Sequence, residues 1–298
     1  MKVFGTYSHP TKYIELTRNN YDEQTKQHER YLQNGDRFAL CPECQNPIRL
    51  VNYAKDETEG QVFHARHYKK DVDGIANYSQ IAFDNCNLAH PVNLDSGIKR
   101  YSAASSNAIK KLYLAHMDLI ISMLEKTLKI TFSKELRNRI IANFGEMKGY
   151  EYRAVTIYNL PIALAYLSKS NDLLDSTVNH DIAEQITANS TSFQCAESPY
   201  TKNKKESDKK YYVNRKKTGN KEDVIFLYFT HHKTIKNNNS EDFNNESIKL
   251  CIAEMHKNEA SEKARFLFEK TINWNSNQFY NTLMKRISIL DMAKEHIK

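Results

Sequence analysis

The fold of the amino-terminal third of this 298-residue chain depends on Cys41-Pro42-Glu43-Cys44, His64-Ala65-Arg66-His67 and Cys86. Two cysteines separated by two residues can hold one metal ion from a tight turn, which is called a knuckle. The apolar residues at 38–40 and 48–51 predict short strands on either side of this turn. A tetrahedral site needs two further ligands, and these must come from beyond residue 60.

Four side chains compete for those two positions: His64, His67, Cys86 and His90. Three of the five cysteines fall within 46 residues, and a thiolate is the stronger ligand, so Cys86 is the preferred third ligand. For the fourth we favour His67, then His64, and a second knuckle of Cys86 with His90 is a further arrangement. The alternative is that the cysteines are small buried apolar residues and the histidines lie at the surface. With four protein ligands, zinc would be structural and closed to substrate, as in a zinc ribbon.

The same stretches resemble the amino-terminal zinc finger of competence protein CoiA-like proteins. The likeness covers about residues 30 to 90 and is carried by Ala39-Leu40-Cys41-Pro42-Glu43-Cys44, by Val62-Phe63-His64-Ala65-Arg66-His67 and by a later cysteine. In that family the finger precedes a restriction-endonuclease-like nuclease domain. The resemblance implies a prokaryotic or phage process such as DNA uptake, processing or defence.

The chain departs from the family pattern at two places. Eighteen residues separate His67 from Cys86, where the family has only a few. The stretch Ala103-Ala104-Ser105-Ser106-Asn107-Ala108-Ile109-Lys110-Lys111 has no acid where the family's nuclease signature would begin. Because Mg²⁺ takes oxygen ligands, the resemblance extends to the finger and not to the nuclease machinery.

Composition excludes several classes of protein. The chain is 40% hydrophobic, which is enough for a core, and its length predicts two domains. It has only 8 glycines and contains no phosphate-binding glycine loop, no dinucleotide fingerprint and no Gly-x-Ser-x-Gly motif. No apolar run approaches the roughly 20 residues that span a bilayer, and the start lacks the apolar region of a signal peptide. With an odd number of clustered cysteines, we expect a cytoplasmic protein without membrane contact.

The positive charge is concentrated in one segment. Residues 201–221 contain nine basic and two acidic side chains, and the whole chain has a net charge of +7, so the remainder is neutral on balance. Interleaved tyrosines, including Tyr200, could stack on bases while the cations meet phosphates. The alternative is a solvated loop that contributes only solubility. The predicted nucleic-acid contacts, with DNA favoured over RNA, are Lys204, Lys205, Lys209, Lys210, Tyr211, Tyr212, Arg215, Lys216, Lys217 and Lys221.

These patterns predict an α+β protein. A small zinc-ribbon-like module occupies residues 1–92, and a mainly helical domain containing a β-hairpin occupies 93–298. Apolar periodicity predicts a long helix over 104–129, and Ser133 and Pro161 each begin another. Further helices are expected near 181–189, 246–256, 261–271 and 277–297, and a strand over 152–158. Strands at 211–213 and 224–229 are expected to pair as a hairpin around Thr218-Gly219-Asn220, with Lys216, Lys217 and Lys221 at its tip.

Three functions compete on these grounds. The first is a zinc-containing, nucleic-acid-associated protein, with a possible partner protein encoded nearby. The second is a metal-dependent nuclease. Its candidate catalytic residues are the acids Glu222 and Asp223 before the predicted strand 224–229 and the histidines His231-His232 after it, and these do not form a recognisable catalytic group. The third is a zinc-stapled adaptor that binds protein through helix 104–129. Because no catalytic constellation is evident, we expect binding in preference to catalysis.

Overall fold

The computed structural model describes residues 1, 3–12, 14–26, 28–54, 63–86, 88–89, 93–100, 103–235, 245–260 and 263–297. Two compact units can be separated. One lies between Met1 and Val92, and the other comprises Asn93–Ile235 together with Asn245–Lys298.

The first unit is built on a small antiparallel sheet. Its described elements are β1 (Val3–Phe4), β2 (Ile14–Glu15), α1 (Arg18–Thr25), β3 (Leu32–Gln33), β4 (Asp36–Leu40), β5 (Pro47–Val51), β6 (His64–His67) and α2 (Gln80–Asp84). Strands β3, β4, β5 and β6 form a four-stranded sheet in that order, and β1 pairs with β2. The backbones of Gly5 and Leu40 exchange hydrogen bonds of 2.8 and 3.0 Å, which join the two-stranded sheet to β4.

The core of the first unit encloses two of its cysteines. Phe4, Phe38 and Ile48 are buried together with Cys41 and Cys86 in one apolar cluster. The turn between β3 and β4 uses Asn34-Gly35, whose φ angles are +50° and +80°. Positive φ at both positions is what a two-residue hairpin turn requires.

The second unit combines helices with two four-stranded sheets. Its described elements are α3 (Ala103–Leu128), β7 (Ile130–Thr131), α4 (Lys134–Glu146), α5 (Leu160–Tyr166), β8 (Asn171–Asp172), β9 (Thr177–Val178), α6 (His180–Asn189), β10 (Phe193–Glu197), β11 (Tyr211–Arg215), β12 (Asp223–Ile235), β13 (Asn245–His256), β14 (Arg265–Trp274) and α7 (Ser276–His296). The sheets are ordered β10-β11-β9-β7 and β14-β13-β12-β8, and their pairings are antiparallel. Helix α3 lies against α5, which in turn lies against β12.

The prediction of a mainly helical second domain is wrong. Residues 246–256 and 261–271, which were expected to be helices, lie largely in the long strands β13 and β14. Residues 246–248 and 250–254 of β13 are buried, so both faces of this central strand are covered. The apolar run at 248–253 is short and ambiguous in sequence, and pairing with β12 and β14 decides its conformation.

The predicted β-hairpin is also wrong. Strand β11 pairs with β10 and β9, whereas β12 pairs with β13 and β8, so the two strands belong to different sheets. The loop between β11 and β12 begins at Lys216, whose backbone N–H donates to the carbonyl oxygen of Ser192 at 2.8 Å. Ser192 is the residue immediately before β10. Lys216, Lys217 and Lys221 therefore do not sit at a hairpin tip.

The predicted strand over 152–158 is absent as well, since the structure has turns there. The Arg100 guanidinium donates to the carbonyl oxygens of Tyr150 and Tyr152, at 3.0 and 2.6 Å, and also to Val155 O. These carbonyl groups are satisfied by a side chain and need no neighbouring strand.

Several predicted helices are confirmed. Helix α3 spans Ala103–Leu128, within one residue of the expected 104–129 at each end, with a break in helical geometry at His116. Ser133 caps α4 by accepting a hydrogen bond from Leu136 N at 3.2 Å, and Leu136, Ile140 and Phe144 form its buried face. Among the described residues, none of the helices combines the length and the apolar character needed to cross a bilayer.

Candidate metal centre and basic segment

The knuckle lies in the tight connection between β4 and β5. Cys41 N donates to Asn46 O at 2.9 Å, and Gln45 N donates to Cys41 O at 2.8 Å. Gln45 takes a left-handed φ of +58°, which lets the chain reverse within a few residues. The two cysteines are thereby placed on one turn, as their spacing predicts.

Sheet register selects His67 over His64. His67 is paired with Ile48 on β5, and its neighbour on the same face, Ala65, is paired with Leu50. Ile48, Leu50 and Ala65 are buried, so this face of the sheet is the core face. His64 is three residues from His67, an odd spacing, and therefore lies on the opposite face of the strand.

Helix α2 leads to Cys86, the third cysteine, which is separated from His67 by 18 residues. Ser79 is its N-cap and accepts a hydrogen bond from Ala82 N at 3.2 Å. The side chain of Asn46, in the knuckle, accepts from Ser79 N at 2.7 Å and donates to Ser79 O at 3.0 Å. Cys86 follows the helix, and its N–H donates to Phe83 O at 3.0 Å. The chain that leaves the sheet after His67 is thus brought back to the knuckle.

The four ligand atoms of Cys41, Cys44, His67 and Cys86 all lie within 4.8 Å of one another. The Sγ atoms of Cys41 and Cys86 are 3.6 Å apart, and His67 Nε2 is 3.3 Å from Cys44 Sγ and 3.5 Å from Cys86 Sγ. Metal bonds of about 2.3 Å to sulfur and about 2.0 Å to nitrogen in a tetrahedron place such atoms roughly 3.5–3.8 Å apart. The residues present therefore fit a tetrahedral metal ion.

Neighbouring thiols favour a thiolate at Cys44, whereas burial opposes ionisation of Cys41 and Cys86. Hydrogen bonds with the Cys41 and Cys86 thiols hold the pKa of Cys44 well below its ordinary value. Burial raises the pKa of Cys41 and of Cys86. One thiolate is therefore favoured without a cation, and a bound metal ion would displace the remaining thiol protons.

The Phe83 ring meets the His67 imidazole edge to face, with centroids 5.2 Å apart and an interplanar angle of 81°. This contact limits rotation of the imidazole. Sequence reasoning missed both Phe83 and Asn46, although the position of Asn46 two residues after the knuckle was a usable signal. His90, the other candidate ligand, lies outside the described residues.

Part of the basic segment is occupied by contacts within the protein. Lys209 Nζ lies 2.8 Å from Glu206 and 3.6 Å from Glu197, and the Tyr211 hydroxyl donates to Glu206 at 2.8 Å. Lys210 donates to the Thr131 hydroxyl.

The guanidinium of Arg215 lies 4.7 Å from the centre of the Phe193 ring and donates to Asp223 O at 2.6 Å. Lys216 Nζ donates to Ser190 O at 2.6 Å. Tyr212 is half-buried in β11. These side chains stabilise the loops around β10 and β11.

Other cations of the segment extend into solvent. Five exposed lysines make none of the contacts given in the two preceding paragraphs: Lys202, Lys204, Lys205, Lys217 and Lys221. Tyr200 is beside the first three and is 84% exposed. Lys202 belongs to the predicted basic segment and Tyr200 immediately precedes it, but neither was among the ten predicted contacts.

The isolated acid and histidine candidates have partners of their own. Glu222 lies 3.9 Å from Lys257 Nζ, and Asp223 accepts from the Ser192 hydroxyl and contacts His256 Nδ1 at 3.2 Å. His232 is buried and contacts Glu246 at 2.8 Å. Among the described residues, these acids do not form a metal-binding group of three or more.

No protein-family model matches this chain, and neither a curated protein nor a solved structure matches it. The likeness of residues 30–90 to CoiA-like fingers therefore stays a prediction, as does the association with nucleic acid.

Proposed function

We propose that this chain is a DNA-associated zinc protein, in which zinc closes the fold of the first unit and the second unit contacts phosphates. The observation that carries the zinc assignment is the group of three cysteines and one histidine within 4.8 Å of one another. Sulfur-rich tetrahedral sites favour zinc among the metals that cells supply in quantity. Four protein ligands leave no open position, so the metal would stabilise the fold and would not activate water.

Metal analysis of the purified chain tests the zinc assignment. We expect one zinc per chain, lost in Cys44→Ser together with the amide-exchange protection of β4, β5 and β6. Cys195→Ser is the matched control, because Cys195 lies outside the group of four. A metal-free wild type with the same protection as the metal-loaded chain would contradict the assignment.

The nucleic-acid assignment is supported by the exposed lysines of the second unit, Lys202, Lys204, Lys205, Lys217 and Lys221. Clustered cations release counterions when they meet phosphates, which makes such binding strongly salt-dependent. The resemblance of residues 30–90 to CoiA-like fingers is what suggests DNA uptake, processing or defence in a prokaryote or phage as the setting. A reducing cytoplasm suits a site of three thiolates.

Titration of a fluorescent DNA oligonucleotide at several salt concentrations tests this assignment. We expect the triple variant Lys202→Gln, Lys204→Gln, Lys205→Gln to bind more weakly and to reduce the salt slope by about 1 for each phosphate that is no longer neutralised. The matched control removes the same charge elsewhere, at the exposed Lys12, Lys134 and Lys285. Equal effects of the two triple variants, or no binding at low salt, would contradict it.

A further inference from the structure

We infer that the nucleic acid bound at this segment is single-stranded and that Tyr200 is the platform on which one of its unpaired bases stacks. This inference rests on the nucleic-acid binding proposed above and names the form of nucleic acid that the site takes.

Tyr200 presents a large aromatic surface to solvent. It is 84% exposed, the highest value among the exposed large apolar side chains of the described residues. Burying such a ring is favourable, and its face suits stacking on another planar group. Tyr211 is less suited, because its hydroxyl binds Glu206 and its ring lies 5.7 Å from His180.

The backbone beneath Tyr200 is firmly held. Tyr200 is the central residue of the 3₁₀ turn Pro199–Thr201, and the flanking Ser198 and Thr201 are buried. Ser198 N donates to Lys210 O at 2.8 Å, and Lys210 N donates to Thr201 Oγ1 at 3.0 Å. A ring displayed from a fixed turn loses little conformational freedom on binding, so this exposure is preorganised.

Positive charge lies directly beside the ring. Lys202, Lys204 and Lys205 follow within five residues and are exposed. The nearest following acid, Glu206, is neutralised by Lys209 at 2.8 Å. Lys204 N donates to Thr201 O at 2.9 Å, which ties the lysine run to the same turn. Phosphates on either side of a stacked base would meet these cations.

The exposed Tyr200 ring and the adjacent lysines together favour single-stranded over double-stranded nucleic acid. In a duplex the bases stack on each other and only their edges reach a groove, so an exposed ring gains no face-to-face contact. An unpaired base offers its whole face, and stacking on an aromatic side chain is independent of base identity. We therefore expect little sequence preference.

The test compares a labelled single-stranded 20-mer with the same sequence as a duplex, using fluorescence anisotropy. Tyr200→Ala should weaken binding of the single strand by about 5- to 150-fold, the range expected for one stacked base, and leave duplex binding and the salt slope unchanged. Tyr200→Trp should restore binding. The native chain has one tryptophan, the buried Trp274, so the added indole reports its own environment and should be quenched by the single strand alone.

The outcomes separate this inference from the function on which it rests. Equal loss of single-strand and duplex binding in Tyr200→Ala, or no loss in either, would overturn the stacking role, while the lysine triple variant would still report phosphate binding. Absence of binding to both forms would overturn the proposed function and this inference together.

Discussion

The side-chain amide of Asn46 makes two hydrogen bonds to the backbone of Ser79, accepting from its N–H at 2.7 Å and donating to its carbonyl oxygen at 3.0 Å. The two residues are 33 positions apart in the chain. Asn46 is buried and lies in the knuckle, and Ser79 begins the helix that leads to Cys86. One amide thus couples the two halves of the candidate metal centre.

Replacing Asn46 should therefore weaken metal binding without removing a ligand. In Asn46→Ala both Ser79 groups lose their partner, which we expect to lower the free energy of unfolding of the first unit by about 1–3 kcal/mol. Loss of support for a ligand typically lowers metal affinity by about 10- to 100-fold. Competition with a zinc chelator measures this, and Asn19→Ala at an exposed position is the control. Unchanged affinity in Asn46→Ala would refute the coupling.

The two histidines of β6 should respond differently to substitution. His67→Ala should abolish stoichiometric zinc binding because it removes a ligand from the core face of the sheet. His64→Ala should retain one zinc per chain, because His64 lies on the opposite face. Metal content after exhaustive dialysis distinguishes them, and retention of zinc by His67→Ala with loss in His64→Ala would reverse the assignment.

Asp223 should contribute a pH-dependent part of the stability of the second unit. The hydrogen bond from Ser192 and the contact with His256 lower the pKa of Asp223 below its ordinary 3.8. A carboxyl with a lowered pKa in the folded state stabilises the protein above its unfolded pKa, and this contribution is lost as pH falls from about 3.8 through the lower folded pKa. The stability difference between wild type and Asp223→Asn should thus be larger at pH 6 than at pH 3.

Urea unfolding at several pH values measures this difference. Glu222→Asn is the control, because Glu222 is exposed and lies 3.9 Å from its nearest cationic partner. A difference between wild type and Asp223→Asn that stays constant from pH 6 to pH 3 would contradict the role of Asp223.

The buried contact between His232 and Glu246 should be costly to break. Leu94 N lies 3.2 Å and Asn93 Oδ1 lies 3.0 Å from His232 Nδ1, and the other ring nitrogen, Nε2, lies 2.8 Å from Glu246. Glu246 also accepts from Asn159 Nδ2 at 2.9 Å. In His232→Ala the carboxylate loses a buried partner, and we expect a loss of about 3–5 kcal/mol in the free energy of unfolding.

Denaturant titration of the second unit checks this value. Substitution of the exposed His296 by alanine should change stability by less than about 0.5 kcal/mol. If His232→Ala behaved like the His296 variant, the buried pair would not stabilise the fold.

Substitutions in the basic segment should distinguish lysines that stabilise the fold from lysines that face solvent. Lys216→Met keeps the aliphatic stem but leaves Ser190 O without its donor, so we expect a loss of about 1–2 kcal/mol in stability. Lys205→Met should leave stability within about 0.5 kcal/mol and weaken DNA binding. Thermal unfolding and DNA titration of the same pair of variants measure both effects. Similar unfolding temperatures for the two variants would contradict this division.

Local signals predicted the elements that depend on a few neighbouring residues. The knuckle depends on a two-residue spacing, and the start of α4 depends on the cap at Ser133. Helix α3 is long enough for its apolar periodicity to be unambiguous. The apolar run in β13 is too short for that distinction, and its strand conformation depends on partners in β12 and β14.

The ligand chemistry of the candidate metal centre can be read from the sequence alone, because three cysteines and a pair of histidines are close together in the chain. The choice of His67 over His64 depends on the fold, because the register of β5 and β6 places His67 on the core face of the sheet. The fold also determines how Cys86 returns to the knuckle, through Asn46, and which lysines face solvent, because β11 and β12 pair in different sheets. Strand register and long-range hydrogen bonds join residues that are distant in sequence, so no local pattern specifies them.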